Sequence, residues 1–273
     1  MYSILYNLIY KKPDVKTFYD VTSQHLIKNK EDIYVKLDRY GWSIHVANPE
    51  AAKQVFLKSD IFPKLDITKG IPKGTFFEKF SGSENILFSS GQDWLKHRKL
   101  ANPAFHRHMP VKFFGETARR LFKIWDDTYE DKDFTLDIEN MMARVTLDII
   151  GKAGFDFDFN AVVDEKSEWK LIYDEVNSSL SNPLYIFFPI LETKLLWLFP
   201  KRQKSHQTLV KWQNMLTSMI EKKRQSIKEN IDNGIEEAEK DLLTLMIESE
   251  FRGEGVLTNE ELLGDIVIFF VAG

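Results

Sequence analysis

The stretch Gln92-Asp93-Trp94-Leu95-Lys96-His97-Arg98-Lys99 holds the residues of this chain best suited to chemistry. Trp94 and Arg98 are four positions apart, so on a helix they share a face. An indole N–H and a guanidinium fork aimed the same way make a clamp for a carboxylate held away from water. His97, three positions from Trp94, can flank that face. The competing arrangement is a tryptophan packed in the core with the arginine stem lying beside it; spacing leaves both open. The neighbourhood is basic. No acidic residue lies between Asp93 and Glu116, whereas Lys96, Arg98, Lys99, Arg107 and Lys112 are cationic. On a chain with 37 basic and 41 acidic residues, net charge −4, this is a local patch rather than the overall basicity of a nucleic-acid binder.

Other constellations fail on their chemistry. Asp156, Asp158 and Asn160 open like a calcium loop, but Ala161 stands where the tight turn needs glycine and Ser167 where a bidentate glutamate is needed. The alternative is a loop whose Phe155, Phe157 and Phe159 pack inward. His106 and His108 suit one face of a strand, not of a helix, and have no carboxylate close in sequence. No phosphate-cradling glycine loop, serine elbow or HExxH pair occurs. The chain has no cysteine. That excludes disulfides, thiolate metal sites and a cysteine nucleophile within these residues, and no metal site is expected among them.

The elements that must carry the clamp are mostly helical. At 43% hydrophobic residues the chain is too apolar to stay disordered and long enough to bury a sizeable core. Strand alternation occurs only near the start, at Ile33–Leu37 and Trp42–Val46 around a Tyr40-Gly41 turn, which predicts a hairpin. Asn48 then caps a helix with Pro49 at its first position. Ser89 or Ser90 caps a helix running through Ala101 and stopped by Pro103. Val111–Tyr129 follows. A helix capped by Asp137 carries Ile138, Met141, Met142, Val145 and Ile149 on one face, and Gly151 or Gly154 ends it. Helices are expected over Ser167–Ser181, around Leu184–Phe199, over Ser205–Asn230 and over Asp241–Phe251. Gly253 and Gly255 make a turn, Thr258 and Glu261 form a capping box, and Leu262–Ala272 is an apolar helix still unfinished at Gly273.

Two segments bear on membranes. Met1–Tyr10 is about half the length needed to span a bilayer and lacks a secretory signal's basic start and cleavage site. Pro183–Pro200 is apolar, but Glu192, Lys194 and its prolines argue against a spanning helix. It either dips into a membrane interface, with Trp197 and Phe199 as anchors, or forms a buried helix pair. Asn177-Ser178-Ser179 fits a glycosylation sequon and is read as incidental.

The run Gly82–Gly91, the Trp94-Leu-Lys-His-Arg98 pair and Lys99-Leu-Ala-Asn-Pro-Ala-Phe105 together resemble the third-helix region of the cytochrome P-450 family. Three further stretches agree in order and spacing: Asn48–Phe62, Thr146–Asn160 and Leu263–Gly273. The resemblance covers about Ile33 to Gly273 and implies a mainly α fold with a small N-terminal β hairpin. Residues 1–273 would be the N-terminal part of one such domain, in the style of a eukaryotic microsomal member. By this resemblance, Trp94 and Arg98 bind haem propionate, and Ala272 and Gly273 begin the small-residue motif over the distal haem face. Phe88, Phe269 and Phe270 shape a substrate pocket within the Thr75–Phe88 loop and the last helix, with plain core packing the alternative for the phenylalanines. The basic patch of Lys96, Lys99 and Arg107 would dock an acidic reductase flavoprotein. The Pro183–Pro200 stretch would touch the endoplasmic reticulum membrane from its cytosolic face.

The departures matter as much. The family's iron is held by a cysteine thiolate near the C-terminus, and its acid–alcohol pair lies just past the small-residue motif; neither is present. Glu116–Arg119 and Glu221–Arg224 match the letters of the family's E-x-x-R helix but come too early. No catalytic residue is therefore expected in this chain, which alone should be inactive. The complete protein would insert one oxygen atom of O2 into an apolar organic substrate, with electrons ultimately from NAD(P)H. The alternative is a haem-free helical interaction protein that kept the scaffold.

Overall fold

The structure, a computed structural model, describes residues 26, 28, 31–38, 41–65, 70–82, 84–106, 111–129, 133, 135–233 and 240–272. Met1–Tyr10, Tyr40, Arg107, His108 and Gly273, each named in a sequence expectation, lie outside the described residues. The chain divides into two compact units, Met1–Lys64 and Leu65–Gly273.

In the first unit, β1 (Ile33–Asp38) and β2 (Gly41–Val46) form an antiparallel pair in which Ile33 lies opposite Val46 and Val35 opposite Ile44. The Tyr34 and His45 rings, directly opposed, stack at 5.0 Å. Asn48 caps α1 (Pro49–Leu57), its side-chain oxygen accepting from the Glu50 and Ala51 N–H groups while its amide donates to Asp32 at 3.0 Å. The hairpin's apolar face is open, with Trp42 77% and Ile44 71% exposed.

The second unit is helical, as its apolar periodicity demands. In order come α2 (Phe76–Ser81), α3 (Gly91–Phe105), α4 (Val111–Tyr129), α5 (Ile138–Phe155) and α6 (Glu168–Leu180), then the short α7 (Pro183–Phe187) and α8 (Ile190–Thr193). A 3-10 turn at Leu196–Leu198 leads into the long α9 (Pro200–Asp232), then α10 (Leu242–Phe251) and α11 (Asn259–Ala272). The core runs along α9 through Leu209, Trp212, Leu216 and Ile220, joined by Phe80, Phe155, Phe159, Met246 and Phe270. A satellite cluster of Leu121, Met141 and Val162 ties α4 to α5.

Caps fall where the side chains dictate. Asp137, Ser167 and Asp241 each accept a backbone N–H in the first turn of α5, α6 and α10. Thr258 and Glu261 satisfy each other's backbone N–H groups, at 3.1 and 2.7 Å, as a reciprocal box.

Three expectations are corrected. Pro103 does not stop α3, which runs on to Phe105; the proline forfeits one ladder bond, to the Lys99 carbonyl, and the helix ends two residues later. Neither Gly151 nor Gly154 ends α5. The helix ends at Phe155 with Asp156 in the left-handed conformation (φ 52°), and Gly151 serves packing: a Cβ there would lie 2.3 Å from the Phe159 ring. The buried face of α5 is also not the purely apolar one expected. Ile138 and Met142 are exposed, while Arg144 and Asp148 are buried beside Met141 and Leu147.

Gly151→Ala is expected to lower the midpoint of urea unfolding by the equivalent of about 2 kcal/mol, with an unchanged slope, because ring and backbone leave no room for a methyl group. Gly115→Ala, in α4 with nothing within 4 Å of the new Cβ, is expected to stabilise by about 0.5–1 kcal/mol in the same measurement.

Candidate functional site

The basic helix α3 presents two different faces. Trp94 is half-buried and Arg98 exposed, one turn further along. Among the described residues no carboxylate pairs with Arg98. His97 does not join that face. It is fully buried, with Nδ1 2.7 Å from Asp265 Oδ2, and Asp265 on α11 is fully buried too. The other Asp265 oxygen accepts the Ile86 N–H at 2.6 Å; in the tautomer protonated at Nδ1, His97 donates to the ionised carboxylate. His97 Nε2 is buried without a hydrogen-bond partner. Burial pushes the Asp265 carboxyl above the usual aspartate range, against the hydrogen bonds from His97 and Ile86 that pull it down.

One residue before His97 on α3 and one turn before Asp265 on α11, Lys96 pairs with Glu261 at 2.6 Å. Burial raises the Glu261 carboxyl, but hydrogen bonds from Lys96 and Thr258 outweigh it and hold the group below its ordinary value. At the far end of the same two helices, the Phe105 and Phe269 rings meet at 5.9 Å. These contacts advance in the same sense along α3 and α11.

The loop between α2 and α3 is shaped by Asn85, itself fully buried. Its amide donates to the Ser81 carbonyl at 2.7 Å, and its oxygen accepts the Leu87 and Phe88 N–H groups at 3.0 Å. Phe88 is thereby set half-buried against Phe77. Gly264 lets the loop lie on α11, since a Cβ there would stand 2.7 Å from the Glu84 carbonyl oxygen.

The sequence-predicted residues separate in this frame. Trp94, Arg98, Phe88 and Phe269 belong to α3, α11 and the loop that bridges them. Ala272 is exposed at the end of α11. Phe270 is core: it is 1% exposed, stacked on Phe155 at 4.5 Å and edge-on to Phe159 and Trp212. Lys99 is exposed, whereas Lys96 is committed to Glu261. A cavity of about 880 Å³ lies elsewhere, between the end of α5, α6 and α9, lined by Phe157, Trp169, Met215 and Lys222 among others. None of the predicted site residues lines it.

The calcium-like loop is held by cations of the chain. Asp156 pairs with Lys152 and Asp158 with Arg120, and the buried Asp148 carboxylate accepts the Ala161 and Val162 N–H groups at 2.7 and 2.9 Å. Arg144 donates to the carbonyls of the same two residues, each at 2.7 Å.

A second buried polar cluster escaped the sequence reading. Glu192, 4% exposed on α8, pairs with Arg202 of α9, lies 3.4 Å from His206 Nε2 and accepts the Phe76 N–H at 3.3 Å. Arg202 also donates to the Ser179 carbonyl and lies 4.5 Å over the Phe76 ring and 4.4 Å over the Tyr185 ring. This cluster joins α2, α6, α8 and α9. It leaves Trp197 68% and Phe188 56% exposed, while Phe199 packs edge-on to Tyr185. The available signal was an acid inside an apolar run, in Glu192 as in Asp265.

The sequence model of the cytochrome P-450 family matches residues 35–273. Curated relatives include 11-oxo-beta-amyrin 30-oxidase of Medicago truncatula, 25% identical over 84% of this chain and 42% of its own length. Cytochrome P-450 4F8 of Homo sapiens is 22% identical over 84% and 44%, and cytochrome P-450 monooxygenase claW of Ampulloclitocybe clavipes 24% over 91% and 49%. The chain thus spans less than half the length of these relatives. Among solved structures, the haem domain of a cytochrome P-450DA mutant matches 97% of this chain and 54% of its own, with TM-score 0.63 and 19% identity. A cytochrome P-450 designated CYP102L1 matches 90% and 53%, with TM-score 0.58 and 19% identity.

Burial raises the Glu192 carboxyl, but His206, Arg202 and the Phe76 N–H outweigh it and hold the group below its ordinary value of 4.5. A depressed folded pKa stabilises the fold above the unfolded value and loses that stabilisation as pH falls through the folded one. Glu192→Gln is therefore expected to cost about 3–5 kcal/mol at pH 7, because Arg202 is left buried and unpaired. It should also flatten the fall of stability below pH 4.5, both read from denaturant midpoints across pH.

Proposed function

The chain belongs to the cytochrome P-450 family, and on that premise we propose that it is the N-terminal part of a haem-thiolate monooxygenase. The complete protein inserts one oxygen atom of O2 into an apolar organic substrate, with electrons from NAD(P)H delivered by a reductase. The observation that carries this reading is Arg98, an exposed cation without a carboxylate partner among the described residues, one turn from Trp94. That pair fits an anionic propionate: the guanidinium offers a fork of donors, and the half-buried indole offers a donor beside an apolar wall.

When bound, haem supplies the iron at which dioxygen is activated. The residues of this chain hold and surround it. Trp94 and Arg98 take the propionate. Ala272, small and exposed at the end of α11, leaves room at the distal face, and Gly273 continues that small-residue run. Phe88 and Phe269 give the substrate an apolar wall. Phe270 supports that wall from the core. With no cysteine among the 273 residues, the iron's thiolate comes from sequence outside them, and the chain alone is inactive. The family match runs through both compact units, which supports a single domain. Lys99, exposed beside Arg98, is the best-supported contact for an acidic reductase, and Arg107 is the next lysine or arginine in the sequence.

The exposed apolar residues Phe188, Ile190, Trp197 and Leu198 support a peripheral membrane contact, and with it the cytosolic face of the endoplasmic reticulum. No helix among the described residues is long and apolar enough to cross a membrane.

Residues 1–273 reconstituted with haem are expected to give no thiolate-type Soret band in a carbon monoxide difference spectrum, whereas the protein carrying the downstream cysteine gives one. In that longer protein Arg98→Ala should weaken haem binding about tenfold or more, with an unchanged denaturant midpoint. A longer protein that takes up no haem would instead favour a haem-free interaction protein. Trp197→Ser should lower sedimentation with phosphatidylcholine vesicles roughly tenfold; equal sedimentation would remove this segment from the interface.

A further inference from the structure

We propose that His97 and Asp265 are a positioning pair for this site, fixing how the helix that carries Trp94 and Arg98 is rotated against the helix that ends in Ala272. The inference rests on the haem reading above and extends it to residues that act through the clamp.

A buried pair costs desolvation that an apolar pair of similar volume would not, so packing alone gives it no advantage. What it adds is direction. An aspartate with one oxygen on the Ile86 N–H and the other on His97 Nδ1, at 2.6 and 2.7 Å, has one orientation that satisfies both donors. His97 is adjacent to Arg98 and three residues from Trp94. A slip of one residue along α3 would turn the clamp by about 100°. On α11, Asp265, Phe269 and Ala272 stand at i, i+4 and i+7, on one face. Holding Asp265 therefore aims Phe269 and Ala272 together, and Phe105 meets Phe269 at the next level. The same carboxylate holds Ile86, two residues before Phe88. Clamp, pocket loop and distal helix thus share one buried oxygen pair. Lys96, next to His97, and Glu261, one turn before Asp265, tether the same two helices at the half-exposed rim.

The test is a double-mutant cycle on the rate of haem loss to apomyoglobin, in the protein carrying the downstream cysteine. His97→Leu is expected to speed haem loss about tenfold in the otherwise unchanged protein. In the Arg98→Ala background it should change the rate less than about threefold, because the group it positions is gone. Asp265→Asn should stay within about threefold of the parent. Its oxygen still accepts from Ile86, and its amide donates to His97 after a tautomer shift. Equal effects of His97→Leu in both backgrounds, or none in either, overturn the proposal and leave the haem reading standing. A parent protein that never takes up haem overturns both. Should His97→Leu not fold, His97→Gln carries the same cycle, with the same outcomes deciding.

Discussion

A carboxylate with no access to water must find its hydrogen bonds inside the protein, and Asp265 finds them on two other segments. That constraint organises the second unit. Hydrophobic contact would hold α3, α11 and the loop at Ile86 together at many rotations, because apolar packing is largely non-directional. The Asp265 oxygens accept few, since each donor must arrive at hydrogen-bond distance and angle. The close seat of the Glu84 carbonyl on Gly264 belongs to the same solution: the loop can deliver the Ile86 N–H only where no Cβ holds it off. In the proposed positioning pair, the exposed Arg98 is aimed by a histidine that cannot be seen from the surface.

The same economy recurs twice. Asp148 and Arg144, one turn apart on α5, grip the N–H and carbonyl groups of Ala161 and Val162, so one helix face reads both polarities of a short backbone stretch. Burial raises the Asp148 carboxyl, and the backbone donors oppose it only in part. Glu192 does for α2, α8 and α9 what Asp265 does for α3 and α11, with one difference. Its partners include a full cation in Arg202, and its carboxyl ends below the ordinary value rather than above it. In each case the charge indexes elements whose apolar faces would tolerate a slip.

The fold class was legible because it follows from periodicity and caps. The Thr258–Glu261 box, the Asp137 and Asp241 caps and the β1–β2 register all follow from side chains within four residues or from alternation. That Trp94 and Arg98 share a helix face was legible as spacing, since they are one turn apart wherever the helix lies. What spacing could not give was partnership at long range. His97 was expected to flank Trp94, yet its partner is 168 residues away in sequence. Arg144 and Asp148 carry no apolar signal, so periodicity cannot assign them to the buried face. Gly151 has the residue type of a helix stop, although its role depends on Phe159, which only the folded loop brings near.

The two adjacent phenylalanines of α11 show why that long-range information matters. Phe269 and Phe270 have the same chemistry, and apolar content alone assigns both to core or both to pocket. They stand about 100° apart on the helix, so one rotation of α11 sends them to different neighbours. Phe270 stacks on Phe155 and meets Phe159 and Trp212, deep in the core. Phe269 turns toward Phe105 of α3. The rotation that divides them is the one that brings Asp265 under both His97 and Ile86. On a helix this uniformly apolar, hydrophobicity drives burial but carries little azimuth; the single buried acid supplies it, and with it the different neighbours of the two rings.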